Sequence, residues 1–460
     1  MRFALRASSL LLAVLLHAVP AGALQLRVAA HMHSTYSQVG VMPLADMAAK
    51  AHEKKLDALI FSDHLLAEAE YGLWPLREII KVRVNRASVL KAGTRNYLDD
   101  IDALRRKYPD MLFVPGVEAA AYYRWSGSPL DKLTMHDWNR HLIIAGLENP
   151  SDYRRMPAIG HSGGAGAQTP FFFLLVPAGF GLRRSGLRRL GTIAVVLGVL
   201  GTIGAYPYRN FSWSQYLPST PWEPYNRLID YAEGKNALVF WAHPAASNWA
   251  NPVKLNDRVY AQTEPYPDCL EHSPDADGFA VFMEGRPLAR PGAQWDKALL
   301  EYISGRRKKP VWAYAELDLV DFNSTPIDSS YMLADVNGCS VPELLGALKN
   351  GHFQSVANSA SGRIEISTFT VSCGGAAAGE GEQVDCSAAP AVHMAITGGG
   401  QVKSAAVTLV RNGVALFSRE EKLPADISVP ATSGDAYYRL MAEQVNSAAY
   451  SNPVFVKEAK

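Results

Sequence analysis

Seven apolar runs of strand character punctuate the chain, and six of them stop at or just before a histidine or a carboxylate. The first, Arg27-Val28-Ala29-Ala30, runs into His31-Met32-His33-Ser34. In an extended segment alternate residues share a face, so the two imidazoles can converge on one cation. The next are residues 57–61 before Ser62-Asp63-His64 and 111–114 before Pro115-Gly116-Val117-Glu118. Later come 237–241 before Ala242-His243-Pro244, 278–282 before Met283-Glu284, and 310–315 before Glu316-Leu317-Asp318. The exception, 141–145, begins with its histidine, so His141 must reach a common site from another direction. Helical patterns separate most of the runs: Leu44, Met47, Ala48 and Ala51 behind Pro43 in 43–55, then Leu98, Ile101 and Leu104. Strands alternating with helices predict an α/β fold with a parallel closed sheet, its chemistry on loops beyond the carboxyl ends of the strands.

The candidate ligands are His31, His33, His64, Glu118, His141, His243, Glu316 and Asp318. Imidazoles mixed with carboxylates suit Zn, Mn or Fe, and eight donors exceed the needs of one four-coordinate ion, so two or three divalent ions are expected. Clustered cations lower the pKa of bound water and clamp the attacking and leaving oxygens. The predicted chemistry is therefore metal-assisted hydrolysis, with His31, His33, His64 and Glu118 as its centre. Asp63 reads as a residue that orients a ligand. Tyr123 and Arg124, in the aromatic cluster after Glu118, are placed to line a pocket, and Arg140 with His136 either holds an anionic substrate or is solvated surface. Glu284 has no motif around it and reads as a helix cap or exposed carboxylate.

Arg2 and Arg6, the apolar run 10–16 and Ala21-Gly22-Ala23 form the three parts of a secretory signal, which predicts an exported chain starting near Leu24. Residues 156–182 and 190–208 carry no formal charge and flank Arg183-Arg184-Ser185-Gly186-Leu187-Arg188-Arg189. With the rest outside, four arginines at a turn fit the positive-inside rule, so 169–207 is expected to embed in or span the membrane, making the protein periplasmic and membrane-attached. As helices, 190–206 would reach about 26 Å and 169–182 about 21 Å, against a hydrocarbon core of ~30 Å. Either the first leg recruits 163–168 or the hairpin enters one leaflet, and an apolar lid is the alternative. The four cysteines form no CxxC pattern. Cys373 with Cys386 is a plausible local disulfide and Cys269 with Cys339 a second, though sequence does not fix the pairing. Residues 341–351 read as a helix stopped by Gly351. Beyond it, short strand patterns around Asn412-Gly413 and at 436–442 predict a small β-sandwich.

The ordered set HMHS, SDH, PGVE, HLIIAGL and AHP resembles the PHP (polymerase and histidinol phosphatase) metallohydrolase family over roughly residues 25–350. The resemblance implies a distorted seven-stranded barrel holding up to three metals, and usually phosphoester hydrolysis. Some exported relatives with a C-terminal sandwich are similar instead to carbamate or amide-type ester hydrolases, and the tail ending Tyr437-Tyr438-Arg439-Leu440 and Ser451-Asn452-Pro453-Val454 looks like theirs. His31 and His33 match the family's opening pair, His64 its TDH-like motif, Glu118 its bridging carboxylate, and His141 and His243 later ligands. Two positions depart from the pattern: Gln38 stands where an aspartate is common, and Glu316 with Asp318 forms an ExD where DxH is common. A carboxylate in place of a histidine hardens the site toward Mn or Fe. One metal position is thereby put in question.

The resulting expectation is an α/β chain with a signal at 1–23, a PHP-type barrel in 24–155 and 209–355, an inserted hairpin at 156–208 and a β-sandwich at 356–460. Its substrate would be a small ester, phosphoester or related amide. At a net charge of +1 there is no electrostatic case for nucleic acid, and the run Lys81, Arg83, Arg86, Lys91, Arg95 is read as a solvated face. The competing class is a metal-binding scaffold at the membrane face that has lost turnover.

Overall fold

The computed structural model describes residues 24–73, 80–158, 169–204, 214–216, 218–282 and 284–459. The stretch 1–23, expected to be a secretory signal, lies outside them.

All seven runs form strands: β1 (Leu24–Ala30), β2 (Ala58–Ile60) continued by β3 (Asp63–His64), β4 (Leu112–Val114) continued by β5 (Gly116–Ala120), β6 (His141–Ala145), β7 (Leu238–Trp241), β8 (Gly278–Ala280) and β9 (Trp312–Tyr314). The strands are buried almost throughout, which is why they read as continuous apolar runs and not as alternating ones. The expected amphipathic helix forms as α1 (Leu44–Glu53), burying Leu44, Met47, Ala48 and Ala51, and the next as α2 (Thr94–Lys107), burying Tyr97, Leu98, Ile101 and Leu104.

The strands form two open sheets, not one closed parallel sheet. In one, β1, β2 and β4 pair in parallel. In the other the order is β9-β8-β7-β6-β5-β3. Parallel pairing holds at β7–β8, β8–β9 and β3–β5, but β6 is antiparallel to both β5 and β7. The chain leaves β5 into short strands at Arg124–Ser126 and Leu133–His136 and returns at the same end, with no crossover helix to carry it back. The first residue of β6 therefore sits where the last residues of its neighbours sit. That reversal gives His141 its approach to the site.

Past β9 the backbone turns onto the end of β1: Leu317 N–H donates to Ala30 O, Leu319 N–H to His31 O, and His33 N–H to Leu319 O. Beyond this point β10 (Ser330–Val336) pairs antiparallel with β1, and β11 (Phe353–Ala357) pairs with β10 and then with Ser447–Ser451. One sheet thus runs unbroken from β1 into the C-terminal β-structure. A second layer, containing Gly362–Cys373, packs against it. The helix at Val341–Asn350 starts with the Ser340 hydroxyl accepting from Glu343 N–H and stops at Gly351, whose φ is +77°. A Cβ at Gly351 would also lie 2.6 Å from the Trp312 ring.

The hairpin consists of Thr169–Arg184 and Arg188–Gly204, with Gly179 and Gly191 letting the helices approach so closely that a Cβ on Gly191 would sit 2.5 Å from Gly179 O. Arg188 and Arg189 belong to the second helix, so its uncharged part, 190–204, is about 22 Å long. Among the described residues no helix is long and apolar enough to cross a membrane, which corrects the expectation of a spanning leg. The Gly-rich stretch 163–168, which the first leg would have to recruit to span, lies outside the described residues.

Cys373 and Cys386 form the local disulfide, with Cα atoms 5.5 Å apart. The second disulfide does not form: Cys269 is buried, Cys339 exposed, and both are free thiols. The basic run is partly neutralised, Arg83 reaching Glu68 at 2.6 Å and Lys81 reaching Glu70 at 2.9 Å.

Candidate metal centre

Glu118, buried in the middle of β5, has all five expected histidines around its carboxylate. Oε1 lies 3.1 Å from His31 Nε2, 2.7 Å from His141 Nδ1 and 3.1 Å from His243 Nε2. Oε2 lies 3.1 Å from His64 Nε2 and 3.4 Å from His33 Nε2. Asp318 completes the group, with Oδ1 3.6 Å from His31 Nε2 and 3.4 Å from His33 Nε2. Residues from β3, β5 and β6 and from the segments just past β1, β7 and β9 thus converge on one end of the sheets.

Three of the imidazoles are fixed by what holds their far nitrogen. His31 Nδ1 lies 2.6 Å from Glu316 Oε2, a carboxylate that can only accept, so Nδ1 carries the proton. Ser37 donates its hydroxyl hydrogen to Asp63 at 2.7 Å and must therefore accept from His33 Nδ1 at 3.1 Å. Tyr266 donates to Ala242 O at 2.6 Å and so accepts from His243 Nδ1 at 3.3 Å. In each ring Nε2 is thus the nitrogen left facing Glu118, the one a cation would take in place of a proton, as when a partner on the far nitrogen orients a metal-bound histidine. His141 Nδ1, buried and without a well-aligned hydrogen bond, also points into the group.

The donor set fits divalent cations. His31, His33 and Glu118 offer ligand atoms within 4.8 Å of one another, as do His64, Glu118 and His141, and His31, His243 and Asp318. Glu118 is shared by two of these groups and His31 by two, the pattern expected of bridged ions. His31, His243 and Asp318 also share an uncommon backbone state, with φ of +65°, +31° and +46°. Such strain in non-glycine residues persists where the surrounding fold imposes it, as at functional sites.

Electrostatics show the same demand for positive charge. Burial alone would push the Glu118 carboxyl up, but His141 and His31 outweigh it and hold it well below the ordinary range. Burial works against a charged His31, yet Glu118 and Asp318 raise it well above its usual value. His243 behaves likewise, raised to about 9 against burial by its hydrogen bond to Glu118 and by the charges of Glu118, Glu316 and Asp318. Burial lowers His141. Without a cation, protons on His31 and His243 take its place.

Glu316, expected as a ligand, stands behind the cluster: Oε2 takes His31 Nδ1 and Oε1 accepts His243 N–H at 2.9 Å. Asp63 orients the opening pair, accepting from Ser34 N–H, Ser34 Oγ and Ser37 Oγ, each at 2.7 Å. Gln38 is exposed, and its buried neighbour Ser37 is the residue turned toward His33. Tyr123 is buried, its hydroxyl accepting from Glu70 N–H, while Arg124 and Arg140 line a separate cavity. Ser37 and Tyr266 escaped the sequence reading because each acts through one hydroxyl on an unpatterned loop. Glu284 is half-buried, its carboxyl raised by burial and influenced by His243, Glu316 and Asp318, so it stands beside the cluster and not on open surface.

Among solved structures, the chain is similar to a two-domain protein from Bacteroides vulgatus containing a predicted PHP-like metal-dependent phosphoesterase, at 11% identity and a TM-score of 0.37, with 92% of this chain and 91% of that one covered. It is also similar to a protein from Bifidobacterium adolescentis assigned as a metal-dependent phosphoesterase, at 13% identity and a TM-score of 0.28, covering 64% of this chain and 87% of that one. No protein-family model matches the sequence and no curated protein matches it. Superpositions this loose leave the functional reading to the geometry of the cluster.

Proposed function

We propose that the chain is a metal-dependent hydrolase of PHP type, its strands a distorted and incompletely closed barrel, acting on a phosphoester or a related ester or amide. The observation that carries this reading is Glu118, a single buried carboxylate within 3.4 Å of five imidazoles. His31, His33, His64, His141, His243, Glu118 and Asp318 would hold two or three ions of Mn, Zn or Fe. Such ions, when bound, supply a low-pKa water and charge stabilisation for a hydrolytic transition state. The chain's own part is to hold Nδ1 of His31, His33 and His243 through Glu316, Ser37 and Tyr266, so that Nε2 of each ring is aimed into the cluster, and to bury the donors. His64 and Asp318, with side chains 17% and 42% exposed, mark the side from which substrate reaches the cluster.

We further read the protein as exported and held to the membrane by the hairpin in 169–207. Support comes from a disulfide, which persists in oxidising compartments, and from large apolar side chains left exposed on both helices, among them Leu174, Phe180, Ile193 and Leu197. Metal analysis of the purified chain, with a panel of esters, phosphoesters and amides for wild type and H33A, tests the central reading. Two or more tightly held ions and turnover lost in H33A are expected. Equal activity in both proteins, or at most one weakly held ion, would favour a scaffold.

A further inference from the structure

Beside the cluster lies a second cavity, of about 380 Å³, with Arg124, His136, Asp137, Arg140, Ser219 and Thr220 in its wall. Arg140 immediately precedes His141, and its guanidinium stacks 5.5 Å from the centre of the Tyr266 ring. The hydroxyl of that same tyrosine holds His243. Tyr266 thus touches both an arginine of this cavity and a histidine of the cluster.

Both arginines are largely buried, with side chains 20% and 15% exposed. Their neutralisation is incomplete. Asp137 faces both Nε atoms, at 3.5 Å from Arg124 and 3.2 Å from Arg140, but neither Nε makes a hydrogen bond. Asp137 is itself held elsewhere: its φ is +61°, its N–H donates to Gln262 O, and its Oδ2 accepts from Thr220 Oγ1. One carboxylate therefore stands between two guanidiniums. Glu264 and Asp268 also border the cavity, but both are exposed at its rim, where water screens them. Burial and the charge of Arg124 lower the pKa of His136, so at neutral pH it adds no charge.

Resting on the hydrolase reading, we infer that this cavity binds an anionic group, a carboxylate or a phosphate, carried by the substrate away from the bond that is cut. Planar guanidiniums recognise either group in a two-pronged fashion, and Ser219 adds a hydroxyl donor, the Thr220 hydroxyl being spent on Asp137. Asp137 is the internal competitor that the ligand's anion relieves.

The test uses the full chain with its metals and two probes, glutarate and inorganic phosphate, titrated calorimetrically against wild type, R140Q and D137N. R140Q should bind the preferred probe at least tenfold more weakly, and D137N severalfold more tightly. Opposite signs separate the cavity from misfolding and from phosphate held at the metal centre. The tighter probe identifies the group. No binding by wild type, no change in R140Q, or both variants shifting in the same direction would overturn the inference. In a second arm, the ratio of kcat/KM for an ester bearing a distal carboxylate to that of its neutral isostere should fall at least tenfold in R140Q. Absence of turnover on every ester would count against the hydrolase reading, while the binding arm still decides the cavity.

Discussion

Nδ1 of His31 and Oε2 of Glu316 lie 2.6 Å apart, and neither side chain reaches solvent. The other oxygen of Glu316 holds the backbone of His243. One carboxylate therefore aligns two residues on different strands' ends. E316Q keeps a single acceptor and loses the charge, so metal affinity should fall about 10–100-fold, the usual effect of removing such a partner. Chelator competition measures it, and an unchanged affinity would place Glu316 outside the machinery.

Glu118 takes part in two of the three donor groups. E118Q should lower bound metal to at most one ion and depress hydrolysis by roughly three orders of magnitude, because bridging charge and nucleophile alignment are lost together. Mass-spectrometric metal counts beside kcat provide the check; two ions retained at full occupancy would contradict the bridging role.

The strand runs and most donors were legible because full burial writes a strand as an apolar block, and the ends of those blocks carry the chemistry. Sheet direction was not legible. Nothing within 141–145 records that β6 runs backward; that follows from the excursion through 124–136, whose short strands have weak patterns. The division of labour between Glu316 and Asp318 was equally hidden. Two residues apart in sequence, they are separated in role by the turn that hydrogen-bonds Leu317 and Leu319 to the end of β1.

Metal-free protein should show a pH-dependent stability set by His243. Its pKa is raised in the folded state to about 9, from an ordinary 6.5. A raised pKa means the folded state binds the proton more tightly. The stabilisation is then complete below pH 6.5 and lost as pH rises through 9, amounting to about 3 kcal/mol. Chelated samples unfolded in denaturant from pH 6 to 10 should weaken across that window. Cation-loaded samples should not, since the proton has already been displaced.

Arg439, fully buried, joins the C-terminal β-structure to the helix Gln294–Ile303 by a two-pronged pair with Asp296, Nε to Oδ1 at 2.7 Å and Nη2 to Oδ2 at 2.8 Å. Tyr437 adds a third bond to the same carboxylate. R439M leaves Asp296 buried with part of its partners, so a loss of about 3–5 kcal/mol is expected, and R439M/D296L should recover a good part of it. Denaturant midpoints of the two variants decide the point; a loss below 1 kcal/mol would show that the pair is dispensable.

The hairpin offers the sharpest test of membrane attachment, because its exposed face is apolar without a polar stripe to compensate. Leu174 is 67% exposed on one helix and Leu197 53% on the other. Placing a carboxylate at a bilayer-embedded position costs about 3 kcal/mol. L174E/L197E together should therefore shift partitioning toward the soluble fraction by several orders of magnitude. The metal centre lies on other elements, so bound metal per chain should hold at the wild-type value. Flotation with liposomes, scored for protein and metal, reads both quantities. If the double variant floats as wild type does, the leucines do not face lipid; if it is soluble but metal-free, the hairpin supports the fold instead of the membrane contact.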